Sequence, residues 1–318
     1  EKALNHSKKI GIDECEIVVV KKKITTVRIT DSEIAEIKQN FDESYGIRII
    51  HQKKIASNQT TDKQNINKNI ENIFDTISNL KPREFWEELP YKSRLKKLDG
   101  VFDEKLENIS GSNAMDIAQD MINSTINNKV STITGSLNIV SEDVQLSNSN
   151  GLELADESTY ITGIINAESE FGNIPVSGIG HASGRTLLNF SAERIGKDAK
   201  NMCIKAINPQ KIDSGKYSII FEPYSVGELL AFVVAANFNF KTFSEKKSCF
   251  SNDLDKKIGI DELNLIDDPH IPEGIGTKSI DDEGIETQKR NLIENGIFKN
   301  TFSNLYDSFK EGVKSTGN

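Results

Sequence analysis

The chain has 318 residues, enough for two domains or one elaborate one. Hydrophobic residues make up 36% and charged residues 27%, a globular balance, and no apolar run approaches the ~20 residues that a membrane-spanning helix needs. With 48 acidic against 39 basic residues the net charge is -9, which argues against nucleic-acid binding by phosphate neutralisation. Three cysteines (Cys15, Cys203, Cys249) are too few and too scattered for a disulfide framework, so a reducing, cytoplasmic location is expected. The first residue is Glu1 rather than Met, so the true start is expected to be missing and no leader can be read.

A helix is expected over residues 2–10, stopped at Gly11. Residues 16–20 (EIVVV) have the length and β-branching of a strand, and 23–29, 33–40, 45–50 and 53–59 continue as short antiparallel strands around a turn at Asp31 and Ser32. The basic run Lys21 to Lys23 reads as a solvated strand end. Helical spacing of Ile66, Ile70, Ile73, Phe74 and Ile77 predicts a helix over 62–80. Residues 82–100, with Pro82, Pro90 and mixed charge, form the linker candidate, with Trp86 as its anchor. This divides the chain into an N-terminal α+β domain, 1–100, and a central α+β domain, 101–318.

The second block opens with Ser112 as a plausible N-cap and a stripe of Ala114, Ile117, Ala118, Met121 and Ile122. Strands are expected at 130–134, 137–140, 144–146, 152–154 and 160–166, with a turn at 147–151. A helix fits 194–206, with Cys203 on its apolar face, and a short strand fits 217–221. Residues 224–238 are apolar nearly all round, which predicts a buried helix. The order of elements is not strict βαβ alternation; it reads as α+β, with antiparallel or mixed sheets and packed helices.

The candidate chemistry is sparse. The glycines of 178–184 (GIGHASG) miss the dinucleotide fingerprint by one position, so the stretch reads as a flexible loop carrying His181 and Ser183. No two histidines have helical metal-ligand spacing. Asp267, Asp268 and His270 could ligate a metal or could be a solvated turn. Asp281, Asp282, Glu283 and Gly284 could do acid–base work or bind a cation, or could be a tight turn with Gly284 at positive φ.

Several stretches together resemble the TldD/PmbA family of metallopeptidase-related proteins, also called modulators of DNA gyrase. They are 3–15 (ALNHSKKIGIDEC) with the strand after it, 45–50 (YGIRII), 215–238, 279–296 (SIDDEGIETQKRNLIENG) and 315–318 (STGN). The catalytic TldD-type members carry H-E-x-x-x-H on a helix, two imidazoles for zinc and a glutamate base. The matching stretch here is 227–236 (GELLAFVVAA), with Ala231 and Ala236 in the histidine positions and Phe232 in the glutamate position. The resemblance therefore implies a PmbA/TldE-like subunit without catalytic residues or metal of its own, zinc being expected in a TldD-like partner. It implies a heterodimer with that partner, or a homodimer, acting on short extended peptides, with no nucleic acid and no membrane. Asp282, Glu283, Gly284 and Thr287 are the positions where peptide or interdomain contacts are expected. A regulatory protein-interaction module, and an independent hydrolase using Asp267, Asp268 and His270, are the alternatives. The family continues beyond the T-G-N stretch into a Gly-rich β region, so a chain lacking about its last quarter is expected.

Overall fold

The computed structural model describes residues 1–92 and 98–317, so residues 93–97 of the expected linker (82–100) and Asn318 lie outside the described residues. The chain opens with helix α1 (Lys2–Lys9), after which Gly11 takes a positive φ of 87°. Three strands follow, β1 (Glu14–Thr30), β2 (Glu33–His51) and β3 (Lys54–Thr60). Asp31 with Ser32, and Gln52 with Lys53, all have positive φ, as two-residue hairpin turns require.

The first two strands are far longer than the expected pieces. The polar stretches that suggested breaks are paired across strands. Lys22 lies opposite Asp42 on one side and Glu142 on the other. Lys22 forms an ion pair with Glu142, Lys21 reaches Asp143 at 3.8 Å, and the Lys23 ammonium donates to the Glu107 carbonyl at 2.7 Å. Opposite charges facing across a ladder support a strand rather than end it. The lysine run is thus mid-strand, not a strand end.

Helix α2 (Ile66–Ile77) packs Ile70, Ile73 and Ile77 inward, and a single turn, α3 (Glu104–Glu107), leads to α4 (Gly111–Thr125). The N-cap of α4 is Ser110, not Ser112: its hydroxyl accepts from the Asn113 N–H at 3.1 Å. Strands β4 (Thr132–Asn148), β5 (Glu153–Ser169) and β6 (Val176–Gly184) complete one six-stranded antiparallel sheet, ordered β3-β2-β1-β4-β5-β6. Because β1 pairs with β4, segments from both sides of residue 100 share this sheet.

The glycine stretch at 178–184 is strand β6 rather than a loop. Its glycines let helix α5 (Ala192–Ala206) lie directly on the strand. A Cβ on Gly180 would sit 1.9 Å from the Ile195 carbonyl oxygen, and one on Gly178 would sit 2.1 Å from the Cys203 nitrogen. Strand glycine here marks close backbone approach.

All the long helices cover one face of the sheet. Ile12, Cys15, Ile17, Ile47 and Ile49 meet α1 and α2, while Val27, Ile29, Leu137, Ile161 and Ile165 meet α4 and α5 through Met121, Ile195, Ala199 and Cys203. Each fully buried aliphatic side chain contributes about 1.5–3 kcal/mol.

The other face is partly covered by a C-terminal unit. It contains helix α6 (Pro223–Leu229), which continues as one π turn (Leu230–Val234) and a 3-10 turn (Ala235–Phe238), and the short helix α7 (Phe240–Ser244). Strands β7 (Leu265–Asp267), β8 (Arg290–Glu294) and β9 (Ile297–Phe298) form its small antiparallel sheet, and α8 (Leu305–Glu311) closes the chain. Phe238, Phe250, Phe298 and Phe302 make its aromatic core. The fold is α+β with antiparallel sheets. Among the described residues no helix is long and apolar enough to cross a membrane.

Two expectations fail in this unit. Residues 217–221 form no strand. The helical stretch after them is largely open: Phe232 and Val233 are 84% and 60% exposed, as is Ile220 just before it at 98%. Val234 and Phe238 turn into the aromatic core, and the remaining apolar surface is left uncovered by the described residues.

Candidate functional site

Asp281 to Gly284 form a tight turn. The Asp281 carboxylate accepts the N–H groups of Glu283 (2.9 Å) and Ile285 (2.8 Å), and the Asp281 N–H donates to the Ile285 carbonyl. Burial pushes the Asp281 carboxyl up, and those two N–H donors pull it back. Gly284 has φ 78°, and a Cβ there would stand 2.8 Å from a Leu152 methyl. Asp282 points outward, paired with Lys278 at 3.7 Å.

Glu283 is the residue that reaches across. One carboxylate oxygen meets the Arg48 guanidinium at 3.4 Å, and the other accepts the Leu305 N–H at the start of α8 at 2.8 Å. Arg48 also pairs with the buried Glu16 at 2.9 Å and lies over the Trp86 ring, with its central carbon 5.9 Å from the ring centroid. Burial pushes the Glu16 carboxyl up, opposed by Arg48. Trp86 itself is held by its indole N–H, which donates to Glu14 at 2.8 Å, and Glu14 also accepts the Leu89 N–H at 2.6 Å. The turn thus ties the C-terminal unit, the sheet and the segment after α2 into one network.

Thr287 is buried. Its hydroxyl donates to the Lys278 carbonyl at 2.6 Å, and His270 Nε2 lies 3.2 Å from the same oxygen. With the hydroxyl proton directed to Lys278, His270 must be the donor in that second contact. His270 therefore does not present a base to Thr287. The Asp268 carboxylate accepts from the Lys289 ammonium at 2.7 Å and from the His270 N–H at 3.1 Å, and these partners hold it below the usual carboxylate range. The arrangement is that of a braced loop, not a nucleophile with its base.

The remaining stretches that carry the resemblance also resolve into contacts. Asn295 (φ 48°) and Gly296 (φ 75°) make the tight hairpin between β8 and β9, and a Cβ on Gly296 would strike the Ile260 carbonyl oxygen at 2.4 Å. Thr316 accepts the Ser303 N–H at 2.8 Å and donates to the Ser303 carbonyl at 3.0 Å. Gly317 (φ 62°) lies against the Glu286 carbonyl, 2.2 Å from where its Cβ would be. Residues 281–287, 292–296 and 315–317 are thereby parts of the same C-terminal unit.

Ala231, Phe232 and Ala236 lie exposed on the helical stretch after α6. On an α-helix, residues five apart are offset by about 140° around the axis. Here the Ala235 N–H bonds to the Leu230 carbonyl, five residues back. This is one π turn, and position 236 lies beyond it in the 3-10 turn that follows. The side chains at those positions are two methyl groups and a phenyl ring, which offer no lone pair to a metal. Among the described residues no three His, Cys, Asp or Glu side chains are grouped to hold an ion. The chain's own residues do not fit zinc at this place. His181, expected on a loop, lies on β6 with its ring 4.5 Å from that of Tyr224 on α6.

Reading of the sequence missed Arg185. It is 4% exposed and donates to the backbone oxygens of Gly274 (3.1 Å), Ile275 (2.6 Å), Thr277 (2.9 Å) and Thr159 (3.4 Å). It clamps the 274–277 segment to β5. Its partners lie 26 to 92 positions away, so no local pattern marked it.

Residues 15–81 match the domain described as PmbA/TldA metallopeptidase domain 1, and residues 214–318 match the PmbA/TldA metallopeptidase C-terminal domain. An uncharacterized protein of Methanocaldococcus jannaschii is 24% identical over 100% of this chain and 73% of its own length. The metalloprotease PmbA of Escherichia coli O157:H7 is 29% identical over 42% of this chain and 30% of its own. Among solved structures, a DNA gyrase modulator from Thermotoga maritima superposes with a TM-score of 0.90 at 21% identity, covering 100% of this chain and 73% of that one. TldE from Thermococcus kodakarensis superposes at 0.87 with 20% identity, covering 100% and 72%. At these identities the structures speak for the fold.

Proposed function

Because this chain belongs to the PmbA/TldD family, we propose that it is a non-catalytic, PmbA/TldE-like subunit of a two-subunit zinc peptidase. The observation that carries this reading is the chemistry of the exposed stretch after α6, where Ala231, Phe232 and Ala236 supply neither a metal ligand nor a general base. A TldD-like partner would hold the zinc and perform hydrolysis. This chain would shape the chamber that admits short, unfolded peptides and excludes folded ones. The exposed apolar surface around Ile220, Phe232 and Val233 suits a protein interface, with a TldD-like subunit or with a second copy. The absence of a disulfide framework suits the cytoplasm.

The test is peptidase activity and bound zinc, measured for this protein alone and after mixing with a TldD-like subunit from the same genome. Activity and zinc only in the mixture are expected. Zinc-dependent hydrolysis by this protein alone would overturn the assignment. A second reading, a regulatory module, draws on the Thermotoga neighbour described as a gyrase modulator. Recovery of a topoisomerase, rather than a TldD-like subunit, in a pull-down would favour it.

A further inference from the structure

A groove of about 580 Å³ crosses the sheet face opposite α4 and α5, within the ~300–1,000 Å³ typical of ligand sites. Its floor is Val18 and Val20 of β1, Val144 of β4, and the row Asp156, Ser158, Tyr160 and Thr162 of β5. Alternate residues of a strand share a face, so that row runs about 20 Å, the reach of roughly six extended residues. The opposing wall is the segment from Ile275 to Asp282. Arg185 bonds three carbonyls of the 274–277 stretch, so the wall is fixed rather than loose.

The charges of this groove do not balance. Arg185 is committed to backbone oxygens. Lys22 is paired with Glu142, and Lys278 with Asp282. The Asp281 carboxylate is taken by two N–H groups of its own turn. Asp156 is half-buried and forms no ion pair among the described residues; Arg185 and Lys278 act on it only through space. Burial pushes its carboxyl up, so a cation placed beside it would gain from the neutralisation. Val144 lies opposite it on β4, and Val18, Val20 and the Tyr160 ring line the same groove, apolar surface suited to an aliphatic stem.

We propose that this groove binds an extended peptide segment of about six residues bearing a basic side chain, with its ammonium or guanidinium on Asp156 and its stem on the valine floor. The assignment rests on the peptide-handling reading above, and its test uses this protein without any partner subunit. Loss of pairing and loss of peptide binding are then separate results.

Fluorescence anisotropy would measure binding of a labelled hexapeptide, capped at both ends, with one central lysine, against a counterpart with norleucine at that place. The lysine peptide is expected to bind about tenfold more tightly at low salt. Asp156→Asn should abolish the difference, and Asp156→Glu should retain most of it. Val144→Gln, on the floor, should weaken both peptides. Equal affinity of the two peptides, or a preference for lysine that survives Asp156→Asn, would overturn the proposal. So would spermidine binding at Asp156 with no binding of the lysine peptide, since the occupant would then be a small polyamine.

Discussion

Replacing Gly180 by alanine tests how α5 is seated on β6. By propensity alone the change should help, since alanine in place of glycine at a permitted φ/ψ stabilises by about 0.4–1 kcal/mol through the unfolded chain. The contacts say otherwise. The new Cβ would meet the Ile195 carbonyl oxygen at 1.9 Å and the Ala199 nitrogen at 2.7 Å, and both are helix backbone that cannot rotate away. Restoring an ordinary contact of 3.4 Å requires α5 to retreat by about 1.5 Å. The side chains that α5 buries on this side are Ile195, Ala199 and Cys203, each wholly buried. A gap of 0.5–1 Å already forfeits a quarter to a half of each dispersion contact, so ~40 contacts of about 0.1–0.2 kcal/mol lose about 2 kcal/mol at Ile195 alone. The expected destabilisation is about 3 kcal/mol, at the upper end for overpacking. Urea unfolding followed by far-UV circular dichroism measures it. Gly227→Ala in α6 is the control: nothing lies within 4 Å of its Cβ, and a gain of about 0.5–1 kcal/mol is expected. A Gly180→Ala protein within about 0.5 kcal/mol of the parent would refute the reasoning.

Removing the cation at Arg48 leaves the buried Glu16 and the bridging Glu283 uncompensated, so Arg48→Met should cost about 3 kcal/mol in urea unfolding. Adding Glu16→Gln to that variant should recover part of the loss; no recovery would mean that Glu16 is not the strained partner. Glu16, Asp156, Asp281 and Asp307 all have carboxyls pushed up by burial. A carboxyl with a folded value above its unfolded one contributes stability that is present at low pH and lost as pH rises through the folded value. The stability these four groups contribute should therefore decline as pH rises above the ordinary carboxylate values of 3.8 and 4.5; a urea midpoint whose pH dependence in that range is unchanged by Glu16→Gln, Asp156→Asn, Asp281→Asn and Asp307→Asn would contradict these assignments. Burial pushes the Cys15 thiol to about 11 and raises that of Cys203, whereas Cys249 is exposed. A thiol reagent should accordingly modify Cys249 quickly in the native protein and the other two only after unfolding, and Cys249→Ser should remove the fast phase.

The core helices were legible because their signal is local. Ala114, Ala118, Met121 and Ile122 sit on one side of α4 whatever lies opposite, and all are buried in the fold. The long strands were not, because Lys21 to Lys23 reads as a strand end and 141–143 as a gap between strands until they are placed opposite one another. The strand character of 178–184 was hidden for the same reason: glycine reads as loop unless the helix that needs the space is known. For 224–238, hydropathy predicts a buried helix, and the stretch is largely exposed instead, because composition alone does not say which surface, if any, packs against it. Of the candidate site, Glu283 was picked out, but its partners Arg48 and Leu305 are long-range pairings that no spacing rule contains.

The stretches that carry the resemblance in 279–296 and 315–317 are, in this chain, largely what holds its C-terminal unit together. The Asp281 turn fits under Leu152, the Asn295–Gly296 hairpin fits against the Gly259–Ile260 backbone, and Gly317 fits against Glu286. Each depends on a glycine with positive φ at a place where a side chain would collide with its neighbours. Such residues maintain a frame and say little about chemistry, since function resides in sites carried by a fold rather than in the fold itself. The chemistry must be sought where the frame leaves side chains free to differ. Two places meet that description: the π turn with Ala231, Phe232 and Ala236, and the groove around Asp156. At the first, Ala231, Phe232 and Ala236 offer no donor atoms. At the second, the Asp156 carboxylate lies in the field of Arg185 and Lys278 but forms no ion pair among the described residues, beside an apolar floor. On the function proposed above, the first place would leave cleavage to a partner and the second would receive the substrate.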